Sequence, residues 1–152
     1  MSDSDLEALR QVLGQLVVHS DSFDPDVPPI ACNSESQVNS AQMLKLARNI
    51  LVARRRRARM FSKSMFGEPA WDMLLTLYAG LAEGPRHSIG RLTRLSGAPP
   101  TTALRWLDYL EKKRLVVREP NPTDRRSDFV SLTEDGRSMM DQYLSETLQS
   151  AA

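Results

Sequence analysis

Cysteine is almost missing from this chain: Cys32 stands alone in 152 residues. A single thiol closes no internal disulfide and makes no cysteine zinc cluster. Histidine is as sparse, with His19 and His87 far apart and neither at ligand spacing from a partner, so no metal site is expected. No apolar run approaches the ~18 residues that a membrane-spanning helix requires, and no membrane partner is expected. The opening "MSDSDLEALR" lacks the charged-then-apolar order of a secretory signal, which leaves a cytoplasmic location as the expectation. No glycine-rich phosphate loop is present, and Ser88 and Ser96 have no visible His/Asp set around them. Neither catalysis nor a cofactor is expected.

Net charge is also small, but only on average. Residues 1–40 hold seven acids (Asp3, Asp5, Glu7, Asp21, Asp24, Asp26, Glu35) against one base, Arg10, while the remainder holds 19 Lys/Arg against 12 Asp/Glu. A basic body with an acidic N-terminal arm suggests an anionic partner for the body. Competition of the arm for that same surface is one hypothesis. The length suits one domain with one core and a tail. Within the arm, "LEALRQVLGQLVV" places Leu6, Leu9, Leu13 and Leu16 at helical spacing around Gly14. The Pro-, Ser- and Asp-rich "HSDSFDPDVPPIACNSESQVNS" then reads as a linker. Three fates stay open for this tethered helix: docking on the body, packing against a second copy, or disorder. Cys32 sits in the linker, where a free thiol is read as incidental rather than as a redox switch.

The body, residues 41–149, reads as mainly α with one small β-hairpin. A helix is expected from Ala41, with Asn39 and Ser40 as available caps. Met43, Leu44, Ala47, Ile50 and Leu51 form its apolar stripe. It ends in "ARRRRARM", whose Arg54 to Arg57 and Arg59 spread around the axis and cannot all meet one partner. They read chiefly as a solvated end that complements the negative helix terminus, with phosphate contact by one or two as the other reading. "EPAWDMLLTLYAG" is a second helix, with Pro69 in its first turn and Gly80 at its stop. Trp71, Leu74, Leu75 and Tyr78 make its core stripe; Trp71 and Trp106 are expected as core or core-edge anchors. In "HSIGRLTRLSG" Ser88 caps a short helix that turns Ile89, Leu92 and Leu95 inward and leaves Arg91 and Arg94 outside.

Only Ser96-Gly97-Ala98-Pro99 separates that helix from the next, Pro100 to about Arg114. Two helices joined by a tight glycine-containing turn outline a helix-turn-helix. In the second helix Ala103, Leu104, Trp106, Leu107 and Leu110 fall in one arc, and Thr101, Thr102, Arg105, Asp108 and Tyr109 lie opposite. Short hydroxyls and an arginine near a helix start suit base edges and phosphates better than the Glu/Lys pairs of an ordinary solvated face. Next come Leu115-Val116-Val117 and Phe129-Val130-Ser131-Leu132, two strand-like runs around the loop "PNPTDRRSD". A hairpin directly after a recognition-type helix makes a winged helix. Arg125 and Arg126 at its tip then either reach phosphates or a minor groove, or stay solvated. Thr133 caps a last helix with Glu134 and Asp135 in its first turn. Its Met139, Met140, Tyr143, Leu144 and Thr147 share a face that asks for a partner helix.

These residues resemble the multiple-antibiotic-resistance-regulator (MarR) family of winged helix-turn-helix transcription factors, over roughly Ala41 to Leu148. The wing carries the most specific part: Asp124-x-Arg126-Ser127, then Val130-x-Leu132-Thr133-x-x-Gly136, is similar to the family's D-x-R…L-T-x-x-G pattern. "LRWLDYLEKKRLVVRE" resembles its recognition helix running into the first wing strand. Arg114 departs from the family, which commonly has a glycine there, and a non-glycine residue in that turn faces a positive φ. The resemblance implies a homodimer made by the N- and C-terminal helices, here through Met43, Leu44, Ala47, Ile50, Leu51, Met139, Met140, Tyr143 and Leu144. It implies Arg126 as the wing arginine, Asp124 as the acid orienting it, and Arg125 as its neighbour. Family members often respond to small phenolic ligands or cysteine oxidation; neither property transfers residue by residue, and the effector is left unknown.

The expectation is therefore a dimeric, sequence-specific reader of double-stranded DNA that regulates transcription from a pseudo-palindrome with half-sites about 34 Å apart. Thr101, Thr102 and Arg105 would touch bases and phosphates, Arg126 with Asp124 the minor groove, and Arg91, Arg94, Arg118 and Arg125 the backbone. The rival reading is a winged-helix interaction module that binds a regulatory protein, with the acidic arm or the Leu6–Leu16 helix as docking element.

Overall fold

The computed structural model describes residues 34–124 and 127–151, with side chains from Asn39 onward. The expected Leu6–Leu16 helix, the linker with Cys32, and Arg125 and Arg126 lie outside the described residues. The elements are α1 (Ser34–Met60), α2 (Pro69–Ala79), β1 (His87–Ser88), α3 (Ile89–Leu95), α4 (Pro100–Lys112), β2 (Val116–Glu119), β3 (Phe129–Leu132) and α5 (Glu134–Ser150).

The apolar sequence of α2 places it at the centre. Its hydrophobic residues run around most of the helix, so two layers can be built against it. Met73 and Leu77 meet Leu92, Ala103, Leu107, Leu110, Val116 and Val130, the core of the winged helix. Leu75, Tyr78 and Ala79 meet Ala47 and Leu51 of α1 and Met140 and Leu144 of α5. Each fully buried leucine here stabilises the fold by about 1.5–3 kcal/mol. Half-buried Leu74 and Leu132 touch both clusters and join them. Tyr78, although buried, satisfies its hydroxyl by donating to Asp141 of α5; burial first, and then that bond, push its pKa upward.

α1 begins at Ser34 rather than at Ala41. "SESQVNS" contains neither Pro nor Gly, so nothing in its composition stops the extension. Asn39 and Ser40 are thus interior residues, not caps. At the other end Arg54 is no solvated arginine. It turns to α2, bonding Asp72 at 2.6 Å and also Glu68. Burial alone would lower its pKa, but the hydrogen bonds to Asp72 and Glu68 raise it, and the guanidinium clamps α1 to the start of α2. Arg57 covers the Phe66 ring at 4.5 Å.

The sheet has three strands, in the order β1-β3-β2, all antiparallel. β2 pairs with β3 in the register Val116 with Leu132 to Glu119 with Phe129, the expected hairpin, although β2 starts one residue late, at Val116. β1 was not anticipated: it has two residues, too few for any periodicity. It is fixed by pairing His87 with Val130, and Ile89 N–H continues to the Asp128 carbonyl at 3.0 Å.

Gly80 ends α2 with an ordinary right-handed φ of −82°, so the reason for glycine is not the left-handed turn. A Cβ there would run into the imidazole of His87. Among the described residues no helix is long and apolar enough to cross a membrane.

Candidate nucleic-acid interface

Local chemistry builds the helix-turn-helix. Ser88 Oγ accepts from Arg91 N–H at 3.3 Å and starts α3. Ser96 is buried in the turn, where its hydroxyl donates to the Thr93 carbonyl at 2.6 Å and accepts from Ala98 N–H at 3.4 Å. Gly97 takes φ +71°, the left-handed region that a side chain disfavours, and Pro100 occupies the first turn of α4, where its missing N–H costs nothing. Arg91 and Arg94 stand exposed on α3.

On α4 the buried arc is narrower than expected. Ala103, Leu107 and Leu110 are inside, but Leu104 is 40% exposed and Trp106 38%. At about 100° per residue, Leu104 and Trp106 flank the arc on opposite sides, beyond the width that α2 covers. Trp106 meets Tyr109 edge-on at 5.7 Å, and the Lys113 ammonium lies over the Tyr109 ring at 5.5 Å. Thr101, Thr102 and Arg105 are exposed as predicted, and the structure brings them together on the outward, N-terminal half of α4.

α4 ends at Lys112, short of Arg114. Arg114 adopts φ +58°, while Leu115 N–H returns to the Leu110 carbonyl at 3.0 Å. That is the left-handed helix stop usually given to glycine. The helix stop is held from the end of the neighbouring strand: just past β3, Thr133 Oγ1 donates to the Arg114 carbonyl at 2.5 Å and accepts from Gly136 N–H at 2.9 Å. One hydroxyl thus closes the α4 stop and caps α5.

The loop of the wing is shaped by Asn121, a residue the sequence reading passed over. Its Oδ1 accepts from Thr123 N–H at 3.0 Å, Thr123 Oγ1 at 2.7 Å and Asp124 N–H at 3.3 Å, while Ser127 N–H donates to the Asp124 carbonyl at 3.2 Å. An Asn between two prolines is the signal that could have identified this turn. Asp124 is exposed.

Arg118 is placed differently from the other candidate arginines. It is half-buried on β2 and engages Asp108 and, at 3.3 Å, Glu111, both on α4. Its charge is matched within the protein. His87, buried beneath α3, has no hydrogen-bond partner on either ring nitrogen; burial, and next the charge of Arg91, hold its pKa below the usual histidine value. Among the described residues no cluster of three His, Cys, Asp or Glu side chains is arranged to hold a metal ion.

The residues expected at a dimer interface are split. Ala47, Leu51, Met140 and Leu144 are buried within one copy of the chain, Met43, Leu44 and Ile50 are half-buried, and only Met139 (60%) and Tyr143 (48%) are exposed. Tyr143 also meets Trp71 edge-on at 4.9 Å.

The MarR family model matches residues 69–127, the stretch from α2 to the wing loop. No curated protein matches the chain. Solved structures similar to it include the transcriptional repressor CouR bound to a 23-mer DNA duplex, at 29% identity over 50% of this chain and with a TM-score of 0.42. A protein of Archaeoglobus fulgidus is similar at 21% identity over 60% of this chain and 92% of its own, with a TM-score of 0.46. Apo MarR of E. coli is similar at 24% identity over 54% of this chain and 65% of its own, with a TM-score of 0.41. The chain spans about half, 52%, of the length of CouR. The matched stretch is narrower than the resemblance read from the sequence, leaving α1 and α5 outside it. Over residues 69–127, from α2 through the helix-turn-helix to the wing, the chain folds as a winged helix and is similar to the MarR family.

Proposed function

We propose that the chain is a transcriptional regulator that binds double-stranded DNA, as a homodimer, at a pseudo-palindromic site. The observation that carries this reading is the outward face of α4. Thr101, Thr102 and Arg105 stand exposed together at the N-terminal half of the second helix of a helix-turn-helix, with the wing directly following. A major groove admits such a helix, and short hydroxyls and a guanidinium match both its base edges and the flanking phosphates. Arg91 and Arg94 supply backbone contacts, and Arg126, oriented by Asp124 and assisted by Arg125, enters the adjacent minor groove. The MarR match over residues 69–127 supports the same assignment.

For the second copy, exposed Met139 and Tyr143 of α5 and half-buried Met43, Leu44 and Ile50 of α1 supply the apolar surface. Ala47, Leu51, Met140 and Leu144 support that surface from beneath. Two copies related by a two-fold axis would present their α4 helices to half-sites about 34 Å apart.

A band-shift titration of the full chain against its selected duplex, run from 50 to 200 mM salt, tests the reading. Affinity falls steeply with salt if phosphates are contacted. Arg105→Ala and Arg126→Ala each weaken binding by about 1–3 kcal/mol where they make specific contacts. A protein that selects no duplex at any salt is not a DNA reader.

A further inference from the structure

We propose that Leu104 selects a thymine in each half-site by packing against its C5-methyl group, an inference that rests on the DNA reading of α4. Leu104 was expected in the core, yet it is 40% exposed, one turn after Thr101 and beside Arg105 on the helix meant to enter the groove. It lines a shallow cleft of about 350 Å³ whose walls are apolar at Ile89, Pro100 and Leu104, polar at Thr93 and Ser127, and acidic at Asp128. The cleft opens where α3, the start of α4 and the Ser127–Asp128 end of the wing loop meet.

The major-groove edges of adenine, guanine and cytosine offer nitrogen and oxygen donors or acceptors; thymine alone adds a methyl group. A leucine facing a polar base edge would strip water from that edge and return no hydrogen bond, which is unfavourable. Facing a thymine methyl, it removes two apolar surfaces from water at once. Leu104 therefore acts in two directions, favouring thymine and penalising the other bases at one position. Thr101 and Arg105, neighbours of Leu104 on the outward flank of α4, fix the register by polar contacts, and the leucine adds discrimination at one further base.

The test is methyl deletion. In the duplex selected by the full-length protein, each thymine is replaced in turn by deoxyuracil, which keeps every hydrogen-bonding group and removes only the methyl. One thymine per half-site is expected whose replacement weakens wild-type binding about three- to fivefold, as burial of a single methyl group implies. Leu104→Ala should bind the selected duplex more weakly and be indifferent to that replacement, while Leu104→Met should keep the sensitivity. Circular dichroism melts identify any variant whose fold is altered. If the wild type binds its site but ignores every methyl, or if Leu104→Ala keeps the sensitivity, the contact is refuted and the DNA reading stands. If the wild type selects no duplex, both fall.

Discussion

Arg118 of β2 and Asp108 of α4 form an ion pair that ties the wing to the outward-facing helix, and Glu111 takes the same guanidinium one turn on, at 3.3 Å. Arg118 keeps 25% of its side-chain surface exposed and Asp108 57%, so solvent screens the pair and its contribution to stability is small, under about 1 kcal/mol. Its consequence is geometric. The carboxylates come from successive turns of one helix, and their joint hold sets the direction in which the strand leaves it.

A guanidinium already matched by two carboxylates releases few counterions from DNA. Arg118→Ala should therefore leave the slope of log affinity against log salt unchanged. Arg105→Ala, which removes an exposed cation from the reading face, should reduce that slope by about one. Salt titrations of both variants against one duplex decide it. An equal loss of slope in Arg118→Ala would make Arg118 a phosphate contact instead.

Gly136 is where a single methyl group does the most damage. A Cβ there would collide with the carbonyl of Leu115, and that oxygen already accepts Thr133 N–H at 3.1 Å, so it cannot withdraw without breaking the base of the wing. Gly136→Ala should destabilise the protein by about 1–3 kcal/mol or more, despite the better helix propensity of alanine. Urea unfolding measures it, and unchanged stability would show that α5 can shift freely.

The distance between what sequence patterning reveals and what it hides has a consistent physical form here. α2, α3 and β3 could be delimited from composition because each has a local signal: Pro69 at a helix start, Ser88 as a cap, alternating Phe129 to Leu132. The turn between α3 and α4 was legible for the same reason. What escaped depends on other parts of the chain. β1 exists because β3 is beside it; Leu104 is outside because α2 is not wide enough to cover it; Arg118 is neutralised because the turn after α4 folds β2 back beside Asp108 and Glu111. At Gly80 and Gly136 the requirement is room for His87 and for the Leu115 backbone, which no local pattern encodes.

Arg114 is the converse case, a residue without glycine's freedom in a glycine conformation. Its φ of +58° is disfavoured by its Cβ, and its side chain is exposed. Arg114→Gly should relieve that strain and stabilise the fold by up to about 1 kcal/mol, although glycine's greater freedom in the unfolded chain subtracts from the gain. Thermal melts of the variant test this. A clear loss of stability would mean that Arg114 makes contacts worth more than the strain.

His87 makes the fold sensitive to acid. Its ring is buried against Gly80, between Arg91, which opposes protonation, and Glu83, which favours it; burial dominates and lowers the pKa in the folded protein. In the unfolded chain the same group titrates near its ordinary value of about 6.5. Above that pH both states hold a neutral ring and the contribution to stability is fully present. As pH falls below it, the unfolded chain takes up a proton that the folded protein refuses, so stability declines until the lowered folded-state pKa is reached. Wild-type melting temperature should therefore drop between about pH 7.5 and 5.5, ahead of carboxylate titration. His87→Gln should be less stable at pH 7.5, because it puts a polar amide in a site with no partner, yet should lose less on acidification over the same interval. Melts of the two proteins across that range separate the effects: parallel curves would show that another group carries the acid sensitivity.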